Sequence, residues 1–249
     1  MRLFSFANIE FTGLDSAYEM SALARVQEMQ IAGGNGAYDL TVGEGRFDNQ
    51  TYEASFSYVE GCSERGEEIL DQLRGAMMRS ATLIAEFHGA RRRVEAKLVS
   101  VKSSPTFADI HSGIHRVALQ FRASPFWYSD SLSLIEPVAS TKIFAANRGN
   151  ADSLHVKFTL SPTANVAGLT LTNGANGATL TYGASLLTTD VLVIDALTCA
   201  VTKNGVNAYG NVTLPNTQIA LFELLKDSDN EITISAAVTG KVEYREAWV

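Results

Sequence analysis

The sequence predicts a mainly β protein in two parts: an α+β domain over residues 1–136, with an antiparallel sheet and one helix, then a β-sandwich over residues 137–249. Three observations lead there. A helical apolar stripe occurs once, in Glu64 to Arg79. Short segments with strand character recur on both sides of it, those beyond residue 137 separated by Asn-Gly turns. Between the two regions Val117 to Tyr128 reads VALQFRASPFWY, an alternating strand that runs through Pro125 into three successive aromatic residues. Most charges precede that seam, and a Gly, Thr and Asn-rich stretch follows it.

Taken in order, Leu3 to Ile9 and Ala24 to Ile31 fit strands, and Asn35-Gly36 supports a hairpin over Gln30 to Leu40. Gly43 to Asn49 is a polar loop. Thr51 to Tyr58 is a half-buried strand, because Tyr52, Ala54, Phe56 and Tyr58 share one face at a period of two. In the helix Glu64 to Arg79, Ile69, Leu73, Ala76 and Met77 form the stripe and Ser63 is a cap. Glu64, Glu67 and Glu68 suit the positive end of its dipole and Arg79 the negative end. An amphipathic helix needs a surface to cover. Leu83 to Phe87, a turn at His88-Gly89, Arg93 to Val101 and His115 to Phe121 supply a sheet.

The polar run Ser129 to Ser133 and Ile135-Glu136-Pro137 mark the expected boundary. Beyond it, strands are expected at Val156 to Leu160, Leu169 to Thr172, Ala178 to Tyr182, Val191 to Ile194 and Cys199 to Lys203. Further strands are expected at Ile219 to Leu224, Glu231 to Ala236 and Lys241 to Trp248. Many short strands separated by Asn173-Gly174, Asn176-Gly177 and Asn204-Gly205 describe a sandwich or jelly roll.

A chain of 249 residues with 46% hydrophobic content can bury two cores. Its net charge of −7 argues against a protein that holds nucleic acid chiefly by neutralising phosphates. Residues 1–136 carry 13 Lys+Arg against 18 Asp+Glu, and residues 137–249 carry 7 against 9. Eleven of those 13 cations are Arg, whose planar fork suits pairing with carboxylates across subunit contacts. Met1 to Ala7 is too short for a signal-peptide core, and no run reaches the ~18 apolar residues of a membrane span. A cytoplasmic site of synthesis is expected, with no membrane insertion.

No motif for nucleophilic catalysis, phosphate cradling or dinucleotide binding is present, so the chain is expected not to be an enzyme and to need no cofactor or metal. His111 and His115 have the i,i+4 spacing of helical zinc ligands, but Gly113 and a loop-to-strand junction remove its meaning. Asp227, Asp229 and Glu231 lack the Gly and distal Glu of a calcium loop and fit a solvated turn. Asp190 and Asp195 flank one strand, which leaves no carboxylate pair for glycoside hydrolysis. Cys62 and Cys199 match no ligand or redox spacing and read as free thiols. Arg91-Arg92-Arg93 is the one basic run, either a solvated hairpin tip or a patch that faces a passing polyanion inside a ring. Phe126, Trp127 and Tyr128 suit a sugar-stacking platform or, the preferred reading, packing within or between subunits. Pro125 fixes their approach, and Tyr52, Phe56 and Tyr58 are available from the earlier strand.

The chain resembles the distal tail proteins of siphovirus-type bacteriophages. The resemblance rests on Gly36-Ala37-Tyr38, Ser57-Tyr58-Val59, the helix with Leu70 and Leu73, and Phe121 to Tyr128. It continues through Asn147 to Ala151, Asp190 to Asp195, Asn204-Gly205 and Val242 to Trp248. The loop before Tyr38 departs from it, with Gly33-Gly34-Asn35-Gly36 where the family often has a charge. The resemblance implies a first domain closing into a homo-hexameric ring between the tail tube and the tail-tip hub. It implies a second domain that is a galectin-like or carbohydrate-module-like sandwich projecting outward. Receptor-binding proteins or host glycans are further partners on this reading, DNA is only passing cargo, and the protein resides in the virion tail tip. A carbohydrate-binding module protein contacting the host surface is the alternative.

Overall fold

In the computed structural model the described residues are 2–11, 15–20, 24–25, 28–30, 37–39, 46–47, 50–59, 64–103, 114–136, 140–215 and 220–249. The chain divides into two compact units, Met1–Trp127 and Tyr128–Val249, and among the described residues both are mainly β. This division falls ahead of the boundary expected at 136/137 because Ser133–Ile135 is already a strand of the second unit, paired with Ser228–Tyr244.

The first unit is built on one antiparallel sheet. Its strands run in the order Ile9–Glu10, Arg2–Phe6, Ser80–Phe87, Ala90–Ser103, Ile114–Ala123, Gln50–Val59 and Asp15–Met20. Leu3 to Ile9, expected as one strand, is instead a hairpin. Ala7 and Asn8 take φ of 49° and 65°, the paired left-handed residues of a turn whose twist matches its strands. The His88-Gly89 turn repeats this geometry, with φ of 49° and 84°. Ala24 to Ile31 is likewise divided, into Ala24–Arg25 and Glu28–Gln30, each with a separate partner. Arg46–Phe47, expected within a loop, is the partner of Ala24–Arg25. Glu28–Gln30 pairs with Ala37–Asp39 as the hairpin reading requires, while the Asn35-Gly36 turn lies outside the described residues.

Alternation assigns the two faces of the sheet. Tyr52, Ala54, Phe56, Leu83, Ala85, Phe87, Val94, Ala96, Leu98, Val117, Leu119 and Phe121 are buried on one face, and their sequence neighbours point the other way. The helix Glu64–Ala76 covers the buried face with Ile69, Leu70, Leu73 and Ala76. Ile69, Leu70 and Leu73 each contribute about 1.5–3 kcal/mol by this burial. Phe6 meets Phe121 edge-on at 5.0 Å and Phe11 lies 5.8 Å from Phe56, so the core is closed by aromatic contacts from the first strands. The helix stops before Arg79 because Met78 turns left-handed at φ 64° and its N–H donates to the Leu98 carbonyl at 2.9 Å. Arg74 therefore takes the last-turn position expected of Arg79. The Ser63 cap lies outside the described residues.

The second unit is a curled antiparallel sheet organised by one long strand, Ser228–Tyr244. Its first half pairs with Ser140–Asn147 and Leu169–Asn173, and its second half with Val156–Pro162 and Ser133–Ile135. Both half-sheets turn their apolar faces into one core, where Phe158 meets Phe222 at 5.2 Å. The sequence reads this strand as two, Glu231 to Ala236 and Lys241 to Trp248. Thr239-Gly240 imitates a turn, yet the chain continues with Gly240 at φ 132°. Gly240 is obligatory there, since a Cβ would lie 2.0 Å from the Thr159 carbonyl oxygen.

Ile219 to Leu224, expected as a strand, forms none among its described residues. Leu221, Phe222 and Leu224 are buried, but the backbone joins the sheet only through an isolated bridge between Ser153 and Leu224. Buried asparagines supply the missing hydrogen bonds. Asn147 Nδ2 donates to the Leu224 carbonyl at 3.2 Å, and Asn173 Nδ2 to that of Glu223 at 3.0 Å. Asn230 Oδ1 accepts from the Leu225 N–H at 2.7 Å, while its Nδ2 donates to the Leu225 carbonyl at 3.1 Å. Asn173 Nδ2 also donates to Asn230 Oδ1 at 2.7 Å, which makes a connected network.

Asn230→Ala strips the network of its centre, leaves the part-buried N–H and carbonyl of Leu225 without their side-chain partner and removes the amide donor to the Ala145 carbonyl. Urea denaturation is expected to show about 3–5 kcal/mol of lost stability, carried by a lower midpoint at an unchanged slope.

Candidate interaction surfaces

In the first unit the strand Gln50–Val59 and the segment ending in Trp127 build an aromatic lock. Tyr52 and Trp127 are 0% and 1% exposed, with ring centroids 5.4 Å apart, and Phe87 meets Trp127 edge-on at 5.0 Å. The Trp127 indole N–H donates to the Tyr52 hydroxyl at 3.0 Å, and that hydroxyl donates to Gln50 Oε1 at 2.9 Å. Burial pushes the Tyr52 hydroxyl up to about 12, and the indole donor opposes the shift. The Arg92 guanidinium lies 4.8 Å above the Phe87 ring.

The site residues named from the sequence therefore separate. Tyr52, Phe56, Pro125 and Trp127 are buried inside the first unit, whereas Phe126 is partly exposed. The backbone of Tyr58 is in the strand, and its side chain lies outside the described residues. Tyr128, in the second unit, packs edge-on against His155 at 5.3 Å, and burial raises its hydroxyl to about 12. Arg91, Arg92 and Arg93 lie on the strand Ala90–Ser103 just past the His88-Gly89 turn, so alternation divides them between faces. Arg92 joins the core side over Phe87, and Arg93 donates to Thr82 Oγ1 at 3.1 Å on the other face.

Sequence reasoning overlooked Phe87 and Gln50 of the lock, and the outward face of the sheet. On that face Lys97 sits directly opposite Arg122, with Ser80 and Thr51 completing a row across four strands. Lys97 and Arg122 are both exposed. The neighbouring carboxylates are taken up locally: Glu95 accepts from Thr82 Oγ1 at 2.7 Å and Glu53 from Gln120 Nε2 at 3.4 Å. Only pairing register brings these residues together.

In the second unit Asp190 is a structural carboxylate. It accepts from the Leu187 N–H at 2.8 Å, from Asn204 Nδ2 at 2.7 Å and from Lys203 Nζ at 2.9 Å. Those donors, the Leu187 N–H foremost, hold its carboxyl at about 2. Asp195 instead receives the Thr198 N–H at 3.1 Å. Asp229 and Glu231 form exposed ion pairs with Arg148 and Lys142, each at 2.5 Å. Cys199 is a free, exposed thiol, and Cys62 and His111 lie outside the described residues. Of the aromatic residues of this unit, Phe158, Tyr182, Phe222 and Tyr244 are buried, whereas Phe144 and Tyr209 are 60% and 45% exposed. Phe144 points outward because Ile143 and Ala145 take the core positions of its strand.

Among the described residues no helix is long and apolar enough to cross a membrane, and no group of three or more His, Cys, Asp or Glu is placed to hold a metal. The sequence model described as "Siphovirus-type tail component, C-terminal domain" matches residues 148–248. Residues 148–248 are thus similar to the siphovirus-type tail components. The match takes in Arg148 to Ala151, Asp190 with its partners Leu187, Lys203 and Asn204, and the long strand Ser228–Tyr244. No curated protein sequence matches the chain. The crystal structure of the Dit protein of phage SPP1 has the same fold: TM-score 0.72 at 10% identity, covering 100% of this chain and 99% of that one. A chain of the phage P2 baseplate in its activated conformation with Ca gives TM-score 0.46 at 8% identity, covering 98% and 90%.

Tyr52→Phe keeps the ring contacts and removes the hydroxyl to which the Trp127 indole N–H donates, at a cost of about 1–3 kcal/mol in chemical denaturation near neutral pH. The Tyr52 pKa is raised on folding, so its contribution is complete below pH ~10 and fades toward pH ~12. The variant should lose less stability than the parent between those values. Asp190 has the opposite sign: its contribution is present above pH ~4 and is lost as pH falls toward ~2. Acid titration followed by near-ultraviolet circular dichroism should therefore show Asp190→Asn less sensitive than the parent across that window.

Proposed function

We propose that this tail component is a structural distal tail adaptor without catalytic turnover, six copies of which close into a ring through the first unit. The ring joins the tail tube to the tail-tip hub at the tip of the virion tail, and the second unit projects outward toward the host-recognition apparatus. DNA passes through it as cargo. One observation carries this reading: both units, in order and over 100% of the chain, share the fold of SPP1 Dit. That protein is described as a paradigm of the hub adsorption apparatus in phages infecting Gram-positive bacteria. The roles of the two units follow the same likeness.

The first unit's sheet is suited to such closure. Among the described residues its strand Asp15–Met20 is hydrogen-bonded on one side only, and a heterologous contact of fixed rotation closes a ring. The aromatic lock braces the adjoining strand Gln50–Val59 from within. A second reading, glycan contact by the second unit, is favoured by the outward Phe144 beside the Lys142–Glu231 pair. Pull-down on host cell-wall polysaccharide, lost in Phe144→Ala, would support it.

Light scattering on the eluting chain should give six times its 26.9 kDa mass, and negative-stain images a six-fold ring. A chain that stays monomeric at all concentrations, alone and mixed with tube or hub protein, overturns the adaptor reading.

A further inference from the structure

Lys97 and Arg122 are directly opposed across the strands Ala90–Ser103 and Ile114–Ala123, on the exposed face of the first unit's sheet. Neither has a hydrogen-bond or ion-pair partner among the described residues. Like charges directly opposite one another weaken a sheet, so the isolated chain carries this pair at a cost. The nearest carboxylates on the same face, Glu95 and Glu53, are engaged with Thr82 and Gln120. The pair is therefore an unneutralised cationic site on a chain whose net charge is −7.

The other side of the same unit has the opposite sign. The helix Glu64–Ala76 packs on the buried face of the sheet, so its exposed stripe faces away from Lys97 and Arg122. Glu68, Asp71 and Gln72 form that stripe at helical spacing. The stripe belongs to a helix with four carboxylates against two arginines. The local partners of its acids are weak ones: Glu68 has Gln72 at 3.1 Å, and Asp71 has an exposed i,i+3 contact with Arg74 at 3.1 Å.

We propose that Lys97 and Arg122 of one copy receive Glu68 and Asp71 of the next, sheet face against helix, in the self-assembled protein. This rests on the ring reading and deepens it by naming a charged contact in addition to the open edge of Asp15–Met20. Complementary charges on opposite sides of one unit give a head-to-tail contact, which propagates around a ring. Complementary charges on one side would give a two-fold dimer. The cost of the like-charge pair in the monomer disappears once carboxylates arrive, so the pair opposes wrong contacts and favours this one.

The test uses the full chain, with light scattering for mass and thermal unfolding as the control for folding. Lys97→Gln should raise the melting temperature of the monomeric chain by about one degree while weakening self-association by about tenfold. A merely structural role would move both in the same direction. The double reversal Lys97→Glu with Arg122→Glu should abolish assembly, as should Glu68→Lys with Asp71→Lys. All four changes in one chain should restore it. A parent that assembles together with a cation-reversed variant that assembles equally well overturns this contact and leaves the ring reading intact. A parent that never self-associates, alone or mixed with tube or hub protein, overturns both.

Discussion

Every backbone group that leaves the sheet ladder inside a core must find another partner, and the second unit meets that constraint with three buried asparagines. Residues 221–225 have to be inside, because Leu221, Phe222 and Leu224 fill the gap between the two half-sheets. They cannot be a strand there, since the long strand Ser228–Tyr244 already has partners along both sides. Asn147, Asn173 and Asn230 resolve the conflict, each offering both a donor and an acceptor to the irregular backbone. An aliphatic residue at any of them would leave groups that cost about 1–3 kcal/mol apiece. The close approach of neighbouring chain segments depends on the same arrangement. Asn147 Oδ1 also accepts from the N–H groups of Gly149 and Ala247, and a Cβ on Gly149 would overlap the Ala247 carbonyl.

The first unit solves a different problem with fewer polar groups. Its sheet buries one face under a helix and aromatic side chains, and its only buried hydrogen-bond chain of side chains among the described residues runs from Trp127 through Tyr52 to Gln50. Such a bond does not add much net stability, but it fixes one orientation for two large rings. The opposite face is left to charge. A unit of this kind has a closely packed interior and an exterior patterned by charge.

Periodicity made part of this legible. The strands at Tyr52, Val94 and Val117, and the helix stripe of Ile69 and Leu73, follow from spacing alone because burial on one face imposes a period of two or 3.6. What failed was whatever depends on residues far apart in sequence. The run at Leu221 has strand composition, and the donors that keep it out of the ladder come from Asn147 and Asn173, 77 and 50 positions away. Thr239-Gly240 has turn composition, and only the crowding of Gly240 against Thr159 reveals a continuous strand. Ala7 at positive φ is a choice that no propensity favours, made because the strands on either side pair. The candidate surfaces were less legible still. Arg91, Arg92 and Arg93 stand out in sequence and are divided between two faces, whereas Lys97 and Arg122, separated by 24 intervening residues, are adjacent in the fold.

Exposed ion pairs such as Arg148–Asp229 and Lys142–Glu231 contribute about 0–1 kcal/mol each and are interchangeable as far as stability goes. An exposed charge that is left unpaired is more informative. A surface under selection for stability alone would neutralise Lys97 and Arg122, since a carboxylate at either position would turn repulsion into attraction across the ladder. Their juxtaposition marks a face on which the isolated chain carries an electrostatic cost, one that an arriving carboxylate would relieve. The same logic separates the two units. In the second, the described charges are largely paired and the outward anomaly is apolar, Phe144. In the first, Met78 aside, the large apolar side chains described are buried or partly buried, and the anomaly is charge. The two kinds of exposed surface suit two kinds of contact: oriented, salt-sensitive packing for the first unit and contact with a flat, weakly polar surface for the second.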